Sequence, residues 1–302
     1  MMTLHPSRTG EVSILLSAVL WSTFPVITIL SLGTLSPLFS AGISTLFASV
    51  FFAGLLTLKK EWPLLRKHEA WKDILLTTLF IGVAFYGFMF LGLKHTSAGN
   101  GAILSLMEVF FSFLILGLLL RHEPLLPRTV IGGACMIFGA LLVLLPKGTG
   151  GWQQGDLLII IATVFAPLGN RFAQRARKVV TTNVIMFLRS IIGGTFLLLL
   201  AFWLESTPTQ RDFFGALNVL LINGVLLLGL SKILWMEGIH RIPITKAISI
   251  ASITPLLTLL VAWLVLYETP SALQISALVP IAVGMVLLTK ASSKPAEITA
   301  RE

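Results

Sequence analysis

The chain alternates long apolar runs with short polar breaks along almost its whole length, and two of those breaks set its organisation. From Gly82 to Glu123, an apolar run ending in Gly92 meets a polar break at Lys94 to Gly101. A second apolar run follows, carries Glu108 near its middle and closes on Arg121 and Glu123. A similar stretch returns from Gly229 to Glu268. Gly238 falls on Gly92, the break runs from His240 to Lys246, and Glu268 closes the run. The echo predicts two copies of one unit, with the paired hairpins at its centre.

A helix needs about 20 apolar residues to cross the hydrocarbon core of a bilayer. The runs predict ten such spans, near 11–31, 37–58, 73–93, 98–120, 128–146, 156–174, 183–204, 213–235, 243–266 and 272–290. Ten spans divide into two fives, and an odd number obliges the second copy to enter the membrane from the opposite side. The expected fold is therefore all-α and integral to the membrane. Its ten transmembrane helices form two inverted five-helix repeats, 11–146 and 156–290, between a tail at 1–10 and a tail at 291–302. Inverted repeats recur in secondary transporters, with the substrate near the midplane where the repeats meet.

Composition strengthens the membrane reading. Of 302 residues, 56% are hydrophobic and only 12% charged, where a soluble domain carries about 25% charge. A net charge of +9 raises nucleic acid as a partner, but the basic residues lie in short clusters between apolar runs, as membrane-flanking charge does. With the N-terminus inside, seventeen Lys and Arg fall in inner segments and three, Lys94, Lys147 and Arg211, in outer ones. That bias predicts a multi-pass protein of the bacterial inner (plasma) membrane with both termini cytoplasmic. The first run, Val12 to Ser31, is longer than the apolar core of a signal peptide and is expected to be retained. Cys135 is alone, so no intramolecular disulfide forms.

Several short motifs, in order along the spans, carry a resemblance to a known family. The first span holds Ala18-Val19-Leu20-Trp21-Ser22-Thr23-Phe24-Pro25. The break runs Gly92-Leu93-Lys94-His95-Thr96-Ser97-Ala98-Gly99-Asn100-Gly101. Arg121-His122-Glu123 and Tyr267-Glu268 end the fourth and ninth spans, and Gly139 and Gly284 sit late in the fifth and tenth. Over nearly its whole length the chain resembles the EamA-type ten-helix permeases of the drug/metabolite transporter superfamily. It departs from the family's pattern at Gly101, where a small Ala is usual, and at Phe165, which stands where the first half has Trp21. The resemblance implies export or exchange of small metabolites, often amino acids or related compounds.

Candidate substrate-binding residues follow from the cost of polar groups in hydrocarbon. Glu108 sits near the centre of the fourth span, where a charge costs about 2.5–3.5 kcal/mol or more, so it is expected to face a cavity as a proton-titrating or ammonium-binding site. The bland account is a protonated Glu bonded to a neighbouring helix. Lys232 and Lys246 flank the second hairpin and either draw an anionic group or snorkel to the headgroups, with Glu237 as a further partner. Arg189, two turns into the seventh span, is expected to snorkel. Trp21, Ser22, Tyr86 and Trp235 supply rings and hydroxyls to a cavity wall, as suits an amphipathic ligand, or else pack ordinarily. Asn170 follows Pro167, which is expected to disturb its helix; Asn170 then lines the site or satisfies the freed backbone.

No P-loop, HExxH, Cys/His cluster or G-x-S-x-G is present in the sequence. No enzyme activity, cofactor or metal is expected, and ATP-driven transport by this chain alone is disfavoured. The expected function is secondary active or facilitative transport of a small metabolite, an amino acid or related amphipathic compound, as an exporter working by alternating access, with the bilayer as surroundings, either uniport or protons as a coupling ion, and no nucleic-acid partner. An intramembrane lipid-modifying enzyme would need paired reactive groups at one depth, and a non-transporting scaffold would need no polar midplane in an inverted repeat.

Overall fold

A computed structural model describes residues 6–115, 127–145 and 152–292. Arg121 to Glu123, Lys147 and most of the C-terminal tail, named above, lie outside the described residues. Those that are described form helices and connecting turns, with no strand. Eight helical stretches are long and apolar enough to cross a membrane, from Arg8–Leu32 to Gln210–Arg241. The ninth and tenth expected spans correspond to shorter apolar helices, Thr254–Leu266 and Ala272–Leu288.

Two long expected spans are broken by proline. The first divides into α1 (Pro6–Ser22) and α2 (Phe24–Leu32) ahead of Pro25. The ninth divides into α13 (Ile244–Ala251) and α14 (Thr254–Leu266) ahead of Pro255. A proline accepts no place in a helix interior without losing a backbone hydrogen bond, but it fits the first turn. The first break leaves the Ser22 carbonyl to be taken by Thr258 Oγ1 at 2.8 Å. The fourth expected span also divides, into α6 (Ala98–Ser105) and α7 (Met107–Ser112), with no proline to cause it. The remaining helices are α3 (Pro37–Leu58), α4 (Trp71–Thr77), α5 (Tyr86–Leu93), α8 (Pro127–Leu144), α9 (Gln154–Ala176), α10 (Thr182–Leu204), α11 (Gln210–Leu221), α12 (Ser231–Arg241) and α15 (Ala272–Ser292). A π-helical segment, Thr78–Phe85, joins α4 to α5, and another, Ile222–Leu230, joins α11 to α12.

Polarity is arranged as in a bilayer protein. Large apolar side chains face outward, among them Val50, Leu199, Trp203 and Val279, while Ser22, Thr28, Ser40, Ser44, Asn223 and Arg189 are buried. Water would penalise so much exposed apolar surface; lipid does not. Inside, many hydroxyls return to helix carbonyls or meet across helices, as Asn223 Nδ2 donates to Thr28 Oγ1 at 3.1 Å, while those of Ser44, Thr45 and Ser190 find no partner among the described residues.

Equivalent contacts recur in the two halves. In α12, Gly238 packs on Ile14 and the Gly10 carbonyl of α1; in α5, Gly92 packs on Ile159 and the Gly155 carbonyl of α9. Small residues let helix backbones approach closely where lipid offers no hydrophobic drive between helices. The helices α3 and α10 each end in a glutamate that receives the start of the other. Glu61 accepts from Thr181 Oγ1 at 2.9 Å and Asn183 Nδ2 at 2.8 Å, and Glu205 accepts from the Leu38 and Phe39 N–H at 3.0 and 3.2 Å. A carboxylate at a helix N-terminus satisfies orphan N–H groups and meets the positive end of the dipole.

The closest of these approaches yields a test. A Cβ on Gly155 would stand 2.2 Å from the Gly92 carbonyl, which belongs to rigid helix backbone. Gly155→Val should therefore destabilise by at least the ~1–3 kcal/mol of ordinary overpacking. Thermal melting of purified protein checks this, with Gly54→Val as comparison, because nothing lies within 4 Å of that Cβ position. Equal melting temperatures would refute the contact.

Candidate functional site

The two π-helical segments aim side chains inward. A π turn widens the helix and shifts the face that follows it, and such turns are frequent at functional sites. Tyr86 is the first residue after Thr78–Phe85, and Lys232 is the second after Ile222–Leu230. Both side chains line a cavity of about 460 Å³ inside the bundle, together with Trp21, Glu108, Asn170, Arg189 and Trp235. A smaller cavity of about 240 Å³ shares Trp21, Phe85 and Glu108 and continues inward past Met89 and Ser105. Met186, Asn170 and Met236 of the first cavity lie within two turns of the helix ends at Thr182, Ala176 and Arg241. The site therefore sits toward the end of the bundle that carries the basic clusters Lys59 to Lys72 and Arg175 to Lys178.

Charge in the cavity is held by unusual partners. Lys232 Nζ stands 3.2 Å from the centre of the Trp21 ring, and Trp21 in turn stacks on Phe24 with centroids 4.6 Å apart. The Arg189 guanidinium lies over the ring of Tyr86 at 5.7 Å. Ring faces attract cations, and more strongly away from water. Asn170 Nδ2 donates to Glu108 Oε1 at 3.0 Å. Among the described residues the ion pairs are Arg241 with Glu237 and Lys246 with Glu11, both exposed. Arg189 and Lys232 thus have no carboxylate in contact, and the buried Arg189 Nε has no hydrogen-bond partner among the described residues.

Six of the eight residues singled out in the sequence come together here: Trp21, Tyr86, Glu108, Asn170, Lys232 and Trp235. The structure does not bring Ser22 or Lys246 to the cavity. Ser22 is buried, with its hydroxyl on the Val19 carbonyl at 2.7 Å, a local helix bond. Lys246 stays at the bundle end because it starts a helix, and its ammonium reaches Glu11 at 2.6 Å. Glu237, the alternative partner for Lys232, is taken by Arg241 one turn on.

Arg189 is the residue that sequence reasoning missed. It does not snorkel: only 5% of it is exposed. It lies on the face of α10 turned to the first π segment, where Gly82 leaves room, since a Cβ there would meet the Arg189 chain at 3.2 Å. Its signal was the coincidence of a cation with a glycine on a facing span. Nor does Pro167 disturb α9, which runs unbroken from Gln154 to Ala176; neighbouring helices in a bundle tolerate such prolines. Asn170 accordingly turns to Glu108 rather than to freed backbone. Phe165, the counterpart of Trp21, faces away and stacks on Phe88 at 5.8 Å, leaving Ala166 on the cavity. At this pair of positions the two halves thus contribute unequally, with the Trp21 ring on the cavity and the Phe165 ring off it.

A family model described as the EamA-like transporter family matches residues 8–145 and 153–290. An uncharacterized transporter of Bacillus subtilis, YvbV, is 27% identical over 266 residues, covering 85% of this chain and 84% of that one. A second from the same organism, YoaV, is 23% identical over 236 residues, covering 77% and 80%. The uncharacterized transporter sll1164 of Synechocystis is 21% identical over 266 residues, covering 80% and 75%. A solved crystal structure of a protein shares the fold, with a TM-score of 0.66 at 18% identity over 94% of this chain and 97% of the other.

Proposed function

The chain belongs to the EamA-like transporter family, and from that premise we propose that it is a secondary transporter that moves a small amphipathic metabolite out of the cell by alternating access. The observation that carries this is the cavity: a ring-walled chamber inside an apolar bundle, with Glu108, Asn170, Arg189 and Lys232 converging on it. Buried charge is expensive in hydrocarbon and is retained where a substrate or ion passes. Family membership weighs for transport and against the lipid-modifying alternative.

The two family matches are taken as two five-helix repeats inverted about an axis in the membrane plane, giving ten spans. The recurring Gly238–Gly10 and Gly92–Gly155 contacts and the reciprocal capping by Glu61 and Glu205 support this. Two repeats that can exchange packings convert a cavity open at one end into a cavity open at the other. Flux of a metabolite panel into proteoliposomes tests the function; a panel spanning amino acids, organic acids, amines and neutral compounds with no movement above empty liposomes would sink it.

The same reading predicts sidedness. Lys59, Lys60, Arg66, Lys67 and Lys72 gather at one end, so we take that end as cytoplasmic, with the cavity nearer to it. Arg66→Cys in intact cells should resist a membrane-impermeant maleimide and react after permeabilisation. Labelling from the periplasm in intact cells would invert the topology.

A further inference from the structure

Resting on the transport reading above, we propose that the cavity selects a small organic anion, whose carboxylate is held between Arg189 and Lys232 while a hydrogen-bonding group at its other end meets Glu108 and Asn170.

The argument is one of unbalanced charge. Two cations and one acid line the cavity. The cations feel each other's field, and Glu108 acts on Lys232, yet neither cation touches a carboxylate among the described residues. Buried charges are ordinarily paired or fully hydrogen-bonded. Here the guanidinium lies over the ring of Tyr86 and meets its hydroxyl, and its Nε is unsatisfied among the described residues. A ring and a hydroxyl are weak stand-ins for a counter-ion, and the unsatisfied Nε leaves the guanidinium a donor for a carboxylate. Lys232, on its flexible stem over Trp21, adds a movable point charge on the same ligand. A structural Arg would instead have been met by an acid or by backbone carbonyls.

One bound carboxylate supplies the counter-ion that Arg189 and Lys232 lack among the described residues. An ester or an amine offers them none, and an amine adds a like charge in a low-dielectric interior. A cavity of about 460 Å³ limits the ligand to a small molecule, and Trp21, Phe85 and Tyr86 offer its apolar body a wall.

The test uses the purified full-length chain in lipid nanodiscs and reads its melting temperature against hexanoate, 6-hydroxyhexanoate, their methyl esters and hexylamine. These share an apolar body and differ in their end groups. The carboxylates should raise the melting temperature, and the esters and the amine should not. 6-Hydroxyhexanoate should exceed hexanoate, because only it presents a donor to Glu108 at the end opposite its carboxylate. Arg189→Gln should weaken carboxylate affinity at least about tenfold, as expected when one member of a buried charged pair is truncated, and Arg189→Lys should recover part of it. Should Arg189→Gln fail to fold, the wild-type series and Lys232→Gln decide. An equal or larger response to ester or amine, or no response to either carboxylate, overturns the anion site. Carboxylate-selective binding without flux would leave this site standing and remove the transport reading; flux of ester or amine without carboxylate preference would do the reverse.

Discussion

Glu108→Gln is expected to abolish the acceleration of substrate flux by an imposed pH gradient while leaving exchange of substrate for substrate intact. Glu108 is the acid that lines both cavities, and in the described chain it faces them from α7, at the break after α6. Gln keeps its size and can still accept the Asn170 amide, now at 3.0 Å, so the wall is preserved and only ionisation is lost. A carboxyl whose contact with water changes between inward-open and outward-open states changes its proton affinity between them, which is the differential binding that coupling requires. One proton per cycle across ~1 pH unit supplies about 1.4 kcal/mol, or about tenfold accumulation. The wild type should therefore concentrate substrate about tenfold under such a gradient, and the variant should only equilibrate it. If Glu108 instead serves only to bind, the wild type will ignore the gradient and the variant will lose affinity. Wild-type behaviour of the variant in both assays would reduce Glu108 to a packing residue.

The apolar runs marked helices well because a bilayer sets both their length and their composition. What they could not mark was continuity within a span. Pro25 and Pro255 break their helices, yet Pro167 and Pro280 lie inside unbroken ones. The ring is the same in each case; the difference lies in what neighbouring helices offer to the freed carbonyl, and that is decided in three dimensions. The π segments were equally invisible, since nothing in Thr78–Phe85 or Ile222–Leu230 departs from an ordinary apolar sequence. They nevertheless set which way Tyr86 and Lys232 point.

The candidate site was legible where a polar group lay deep in a span. Glu108 and Asn170 were each suspected for separate reasons, and their contact joins the two halves of the chain. Arg189 was misjudged because distance along a helix measures depth but not direction. At its depth a cation can reach the headgroups on one face or enter the bundle on another, and only the facing Gly82 decides between them. Lys246 erred the other way: its place in the repeated break suggested a site, while its position at a helix start kept it beside Glu11 at the exposed end.

Asp156→Ala should unlatch the end of the bundle opposite the cavity. Asp156 is fully buried at the start of α9, in the second half of the chain. It accepts from Thr96 Oγ1 and, at 3.2 Å, from Asn100 Nδ2, both in the first half. Gln274 of α15 extends the network to Asn100 at 2.8 Å, and Glu268 receives the Ala98 N–H at 3.0 Å. Removing the carboxylate strands two buried neutral donors, each at about 1–3 kcal/mol, a loss that falls on the state in which this end is closed. Reversing a closed-to-open ratio of about 99:1 takes roughly 5.5 kcal/mol and equalising it about half of that, so the variant should bring the two states close to balance. Met89, 3% exposed, lies between this network and the cavity. In a Met89→Cys background, Asp156→Ala should raise maleimide labelling from the Asp156 end about fiftyfold, as the open state rises from about 1% to about half, and labelling of Ser17→Cys from the basic end should fall. The contrasting variant is Glu11→Ala, which removes the exposed pair with Lys246; such pairs are worth about 0–1 kcal/mol, and accessibility should barely change. If labelling rises at both ends together, the bundle has merely loosened. If Met89→Cys stays protected, the Asp156 network does not hold this end shut, and exchange between two packings would have to be governed elsewhere.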